Sequence, residues 1–305
     1  MGIAIADGQS DTAESLIRNA DAAMYDAKES DEAYEVFDDG IRTRVRERVE
    51  MERQLQRAVH DGGFRLLYQP QVDLRSGEIV GLEALLRWDH PTRGLIEPVE
   101  FLWLAQETGL VKEIDDWVLG EACRHAGLWR EAGPSGRPLR VSVNLASHRH
   151  ADLALVDTVR GTIGEAGIEP SSLCLEITEA VVLQDAETAI GTLRALKDLG
   201  VMISMDEFGS SHSSLGALKR FPLDMLKVDR SFVGGLSGAA SDGEDAAIVS
   251  AVVNMAHALG LVTIADGVET REQLEYLKAV ECDVGQGSYF ARPRPSEAIA
   301  ELLGC

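Results

Sequence analysis

An α/β fold, a (β/α)8 TIM-like barrel with an antiparallel first strand, is what this 305-residue sequence predicts. Three observations carry the prediction. From Phe64 onward, short apolar strands alternate with amphipathic helical segments, the pattern of βα units. About eight such strands fall within roughly 240 residues, the span of one closed barrel. Polar side chains recur at the ends of nearly all of them. An open doubly wound sheet is the competing architecture, but no GxGxxG turn follows a first strand.

Residues 1 to about 36 read as a short strand, GIAIA, then a polar turn and a helix, TAESLIRNADAAMYDAKES. Ala20, Ala23, Met24 and Ala27 form a stripe at helical spacing. This piece is too small to fold alone and reads as the end of a larger domain. From Asp39 to His60 the chain is charged and helix-forming. Val45, Val49, Met51, Leu55 and Val59 give it a stripe, which predicts a linker helix docked on the barrel. RSGE joins the strands FRLLYQPQVDL and EIVGLEALLRW, so this first pair reads as an antiparallel hairpin. LRVSVNL, SLCLEIT, VMISMD, MLKVD, LVTIAD and the short DVGQG come after it, with helical segments such as Ala186 to Leu199 and Asp245 to Leu259 between them. The stretch GGLSGAASDG, Gly234 to Gly243, reads as a surface loop.

Composition removes several classes of function. Apolar residues make up 45% of the chain, yet no apolar run approaches the ~18 residues of a membrane span. The N-terminus lacks a basic segment followed by an apolar block, so no signal peptide is expected. A formal charge of −22 argues against a nucleic-acid surface and repels anionic lipid. An anionic ligand would therefore need positive charge supplied locally. Cys123, Cys174, Cys282 and Cys305 show no CxxC or zinc spacing and read as free thiols in a reducing cytoplasm.

The strand ends carry the chemistry. Glu83 is assigned to the end of the second barrel strand, Asn144 to the third, and Glu176 with Glu179 to the fourth. Asp206 and Glu207 close the fifth, Lys227 and Asp229 the sixth, Asp266 the seventh and Gln286 the last. Any one of these is as readily a solvated strand end or a helix cap. Together, on the C-terminal face of a barrel, so many carboxylates would repel one another unless a cation joins them. Carboxylates with one amide and no clustered His or Cys make a hard-oxygen shell, which selects Mg²⁺ or Mn²⁺ over zinc. Adjacent carboxylates let one bridge a metal pair while the other holds a single ion, which accounts for Asp206 beside Glu207. Two hard ions clamp a phosphodiester and activate water for in-line attack. Lys227 and Arg87 add positive charge for a phosphate. Asp229 reads as orienting Lys227 or Arg230, and Glu179 as a brace for the loop after Asp206. The histidines show no HExxH spacing, SHRH at 147 to 150 reads as a loop, and Trp88 reads as packing. A proton-abstracting barrel lyase of the enolase type is a different chemistry that Lys227 and the carboxylates also suit.

EALLRW, VNLAS, LEITE, DEFGSSHSSL, LKVDRSFV, ADGVET and CDVGQGSYF, in this order, resemble the motifs of the EAL-domain family of cyclic di-GMP phosphodiesterases. The resemblance runs from about residue 50 to the C-terminus. It implies a (β/α)8 barrel with an antiparallel first strand, and Mg²⁺- or Mn²⁺-dependent opening of one phosphodiester bond to give linear pGpG. By motif it implies Glu83, Asn144, Glu176 and Asp206 as metal ligands and Glu207 as ligand of a second metal. Lys227 falls at the position that holds the attacking water, and Asp266 at a general-base or metal-ligand position, with Glu269 and Gln286 in support. Gln69, Leu86 and Arg87 fall where the family contacts the dinucleotide. A homodimer is implied as well.

Residues 1 to about 40 resemble the last strand and helix of a GGDEF diguanylate-cyclase domain, without its signature loop. The expected organisation is thus a GGDEF-like remnant at 1–40, a linker helix at 41–60 and a barrel domain at 61–305. Three motifs depart from the family pattern: DEFGSS stands for DDFGTG, DGVE for EGVE, and Ser288 for the Tyr after QG. Each acidic exchange moves a carboxylate by about one bond, ~1.5 Å. Hydrolysis tolerates such displacement poorly and ligand binding tolerates it well, so a cyclic di-GMP receptor is the alternative expectation.

Overall fold

The structure, a computed structural model, describes residues 1–5, 12–29, 33–133, 138–145, 152–178, 186–209, 220–236 and 243–304. At the N-terminus, β1 (Gly2–Ile3), α1 (Ala13–Glu29) and β2 (Glu35–Val36) make a small βαβ unit whose strands pair in parallel. Gly2 is required there, since a Cβ would lie 1.9 Å from the Ala20 carbonyl oxygen of α1. Of the predicted α1 stripe, Ala23 is buried while Met24 is 40% exposed, because the unit offers α1 only two short strands to cover.

The linker helix α2 (Asp39–Asp61) starts where Asp38 accepts the Ile41 N–H at 2.7 Å and stops at Gly62, whose φ of 85° ends the helical path. Ile41, Leu55 and Ala58 bury its inner face, whereas Val49, expected in the stripe, is exposed.

Next come β3 (Phe64–Asp73), β4 (Ile79–His90), β5 (Gly94–Ile96), α3 (Leu102–Glu107), α4 (Val111–Leu128), β6 (Arg140–Asn144) and α5 (Ala154–Ala166). The chain continues through β7 (Leu173–Thr178), α6 (Ala186–Asp198), β8 (Met202–Phe208), β9 (Met225–Val228), α7 (Arg230–Gly234) and α8 (Glu244–Ala258). It closes with β10 (Val262–Ala265), α9 (Arg271–Ala279), β11 (Val284–Gln286) and α10 (Ser296–Leu303). Strand order β3-β11-β10-β9-β8-β7-β6-β4, with β3 also pairing β4, closes the sheet on itself. β5 extends the β4 edge. Closure excludes the open doubly wound sheet. β3 is antiparallel to both of its neighbours and the other barrel pairs are parallel, as the hairpin predicts.

The main core lies between the outer barrel face and the helices, where Leu82, Trp88, Val143, Leu175 and Val228 are all buried. Trp88 packs edge-on against Phe101 and His90, which fits its reading as a packing residue. A separate apolar cluster, Cys174, Met225, Ile264 and Val284, fills the barrel interior. Strand period two places the next inward residues two positions on. These are Glu176, Lys227, Asp266 and Gln286, so an apolar floor carries a polar layer at the mouth.

Candidate active site

Lys227 stands at the centre of that layer. It is 1% exposed, and its Nζ donates to Glu83 Oε2 at 2.8 Å, Glu176 Oε2 at 2.9 Å and Asp206 Oδ2 at 3.3 Å. Burial alone would lower the Lys227 pKa. Glu176, Glu83, Asp206 and Asp266 outweigh it and hold the ammonium well above its ordinary value. Glu83 is buried too, yet its pKa is lowered, because Lys227, Gln286 and Asn144 donate to it. Glu176 is pushed up to about 8, first by burial and then by Glu83, against the pull of Lys227. One ammonium thus faces a cluster with more negative charge than it can balance.

Carboxylate oxygens of Glu83, Glu176 and Asp206 lie within 4.8 Å of one another. Glu176 Oε1 is buried without a hydrogen-bond partner. An orphaned buried carboxyl oxygen inside an all-oxygen set is what a hard divalent cation would complete, so these residues fit a metal.

The other predicted residues stand at different distances from this cluster. Asn144 joins it, donating from Nδ2 to Glu83 Oε1 at 2.8 Å. Gln286, 1% exposed, donates to Glu83 Oε2 at 2.5 Å and to Gln69 Oε1 at 3.1 Å. Gln69 in turn donates to the Ala291 carbonyl at 3.1 Å. Asp266 is pushed up to about 6, by burial most and against Lys227. Arg87 is turned toward Glu97 at 3.2 Å. Glu269 is exposed, and its backbone N–H donates to Gln273 Oε1 at 2.7 Å. Glu179, SHRH at 147 to 150 and most of the loop after Leu236 lie outside the described residues.

Asp206 and Glu207 sit side by side because β8 is irregular there. Its register on β9 runs Met205↔Leu226 and then Phe208↔Val228, so β8 carries one extra residue. Such a bulge breaks the alternation of faces and re-aims side chains. Glu207 is the residue that takes the left-handed backbone, φ 55°. Gly209 adopts the same region at φ 96°, where a Cβ would lie 3.0 Å from the Phe232 ring. The Glu207 pKa is raised, by burial, Asp206 and Asp229, with Lys227 and Arg230 opposing.

Two expectations need correction. Glu83 lies inside β4 rather than at its end, because that strand runs on to His90 by pairing with β5. Asp229 orients neither Lys227 nor Arg230. It caps α7, accepting the Ser231 N–H at 2.9 Å. Leu86, expected to contact the dinucleotide, is 9% exposed and packs in the main apolar cluster. Strand alternation puts Leu85, not Leu86, on the face that carries Glu83 and Arg87.

The description "EAL domain" matches residues 52–293, most of this chain. The chain belongs to the EAL domain family. It is similar to "Bifunctional diguanylate cyclase/cyclic di-GMP phosphodiesterase MucR" of Pseudomonas aeruginosa, 42% identical over 300 residues, covering 98% of this chain and 43% of that protein. "Cyclic di-GMP phosphodiesterase NbdA" of the same organism is 38% identical over 304 residues, covering 99% of this chain and 38% of NbdA. Among solved structures, "PaMucR Phosphodiesterase, c-di-GMP complex" superposes with a TM-score of 0.77 at 43% identity, over 82% of this chain and 99% of that one. The chain spans less than half the length of these two full-length relatives.

Sequence reasoning missed inward residues of this EAL domain, Leu85 and Gln71 among them. Alternation along β3 and β4 would have found both. Gln71 is fully buried and paired across the hairpin with Gly81.

Proposed function

We propose that this EAL domain hydrolyses cyclic di-GMP to linear pGpG with divalent metal, Mg²⁺ or Mn²⁺, bound as a pair. The observation that carries the reading is the set of buried Glu83 and Glu176 with half-buried Asp206, held together by Lys227 and short of positive charge. The names of MucR and NbdA, and the MucR complex with cyclic di-GMP, support it. Glu83, Asn144, Glu176 and Asp206 would hold the first ion, with Glu207 and Asp266 toward the second. Bound divalent metal supplies a Lewis acid for the phosphoryl oxygens and lowers the pKa of water.

The chain's own groups do the rest. Lys227 orients the attacking water and keeps positive charge beside the phosphate. Asp266, raised to about 6 without metal, serves as the general base for that water or as a ligand of the second ion. Gln286 fixes the Glu83 carboxylate, while Glu269 and Glu179 brace the surrounding loops. Gln69, Leu86 and Arg87 seat the dinucleotide, and Arg87 exchanges Glu97 for phosphate when it does so.

Residues 1–40 are proposed as the end of a GGDEF-like domain, 41–60 as the linker helix and 61–305 as the barrel. The similarity to MucR extends over 98% of the chain and so past the EAL match on its N-terminal side. A homodimer and a cytoplasmic setting complete the reading. The buried free thiols Cys123, Cys174 and Cys282 suit a reducing compartment. Among the described residues no helix is long and apolar enough to cross a membrane.

The test is incubation with cyclic di-GMP and Mn²⁺ or Mg²⁺, with products separated by chromatography. The expected product is pGpG, lost in EDTA. Tight binding of cyclic di-GMP with no pGpG would replace this reading by the receptor.

A further inference from the structure

Below the carboxylate layer a chain of hydrogen bonds runs through four neighbouring strands. Gln286 of β11 pairs in register with Gln71 of β3, Gln71 with Gly81 of β4, and Gly81 with Arg140 of β6. Arg140 donates from its guanidinium to Gln71 Oε1 at 3.3 Å. Gln71 Nε2 donates to Gln286 Oε1 at 3.1 Å, and Gln286 Nε2 donates to Glu83 Oε2 at 2.5 Å. Both glutamines are buried, at 0% and 1% exposure, so water offers them no alternative partner.

The chemistry at the two ends gives this chain a direction. A guanidinium can only donate and a carboxylate can only accept. Two amides placed between them satisfy every contact in one arrangement alone, each oxygen toward Arg140 and each NH₂ toward Glu83. Reversing either amide would set oxygen against oxygen or NH₂ against guanidinium, in a place where an unmet polar group is expensive. Space is kept for the arrangement at Gly81. A Cβ there would lie 2.7 Å from Gln71 Oε1 and 3.3 Å from the Arg140 carbonyl oxygen.

We infer that Gln71, set by Arg140, is a positioning residue: it locks the Gln286 amide with its NH₂ toward Glu83 and so fixes the carboxylate in the geometry a metal ion needs. Neither Gln71 nor Arg140 is among the residues proposed to hold the ion or the nucleotide. The inference rests on the metal-binding part of the proposed function, and its effect is read on the metal directly.

Four proteins decide it: the wild type, Gln71→Met, Gln286→Met and the double variant. Mn²⁺ binding is titrated calorimetrically without nucleotide, and pGpG formation is measured in parallel. Gln71→Met is expected to weaken Mn²⁺ binding by about tenfold, the lower end for outer partners of metal ligands. In the Gln286→Met background the same change should cost nothing more, because the group it acts through is gone. A purely structural Gln71 would instead impose the same penalty in both backgrounds. Unchanged Mn²⁺ affinity in Gln71→Met, or penalties that add in full, overturns the inference. Should Gln71→Met fail to fold, Arg140→Met leaves both amides in place and removes only what sets their direction. It too should weaken Mn²⁺ binding, and an unchanged affinity again overturns the inference. A wild type that binds Mn²⁺ but forms no pGpG would end the hydrolysis reading and leave the relay to be decided by the titration.

Discussion

Glu83 accepts from Lys227, Asn144 and Gln286 at once, which makes it the residue on which the site's charge and geometry meet. Glu83→Gln keeps the shape and removes the anion, so pGpG formation should fall by on the order of a hundredfold or more, with metal affinity falling alongside. Arg87→Ala removes a cation that stands apart from the carboxylates. Its main effect should be weaker cyclic di-GMP binding in calorimetry, and an unchanged affinity would refute its binding role. The two acidic departures from the family pattern make a sharper case. Glu207 is one methylene longer than the Asp usual at its position, and Asp266 one shorter than the usual Glu. If both reach one second ion from the ends of β8 and β10, on either side of β9, the changes offset each other, each shifting a carboxylate by ~1.5 Å. Glu207→Asp and Asp266→Glu should then each lower pGpG formation singly and recover it together. Effects that simply add would rule out compensation.

At the scale of elements, Asp283 ties three of them together just before β11. It accepts the Thr263 N–H at 2.9 Å and the Thr263 hydroxyl at 2.8 Å from β10, and pairs with His257 Nε2 of α8 at 2.9 Å. Burial works against its charge, yet Thr263 and His257 hold its pKa below the ordinary value. A lowered carboxylate pKa stabilises the fold above the unfolded value and loses that stability as pH falls through the folded one. Asp283→Asn should therefore cost about 2 kcal/mol in urea unfolding at pH 7, and the gap from wild type should close below about pH 4. An equal gap at pH 7 and pH 3 would refute the charge-based account. These elements were largely legible in the sequence, because period-two strands such as LCLEIT and MLKVD announce both faces. Glu176 and Lys227 could be placed for the same reason: each stands two residues beyond an apolar inward residue. Three features were not legible. The length of β4 depends on pairing with β5, a contact between segments that no local pattern encodes. The bulge at Glu207 is a register event between two strands. Asp229 served as a helix cap because α7 begins directly after it, a role that spacing alone does not separate from a site residue.

For the whole molecule, the site and the global charge push stability the same way. Glu176 sits at about 8 against an ordinary 4.5, and Asp266 at about 6 against 3.8. Both pKa values are raised, so between the unfolded and folded values the native state holds more protons than the unfolded chain. Stability must then fall as pH rises through that interval. The net charge of −22 at pH 7 adds self-repulsion that also grows with pH. Asp283 acts oppositely, but only at more acid pH. In EDTA the melting temperature should accordingly be highest near pH 5 and decline toward pH 8. A divalent ion changes this by taking the place of the retained proton in the Glu83, Glu176 and Asp206 set. Mn²⁺ at a hundred times its dissociation constant adds about 2.7 kcal/mol to the native state. Because binding releases protons, affinity rises with pH, and at a fixed Mn²⁺ concentration the gain in Tm should be larger at pH 8 than at pH 5.5. Melting curves across that range, with EDTA and with Mn²⁺, measure both slopes. A flat profile in EDTA would mean that the carboxylates are not held protonated by the fold. An equal Mn²⁺ shift at both pH values would mean that the ion binds somewhere other than this cluster.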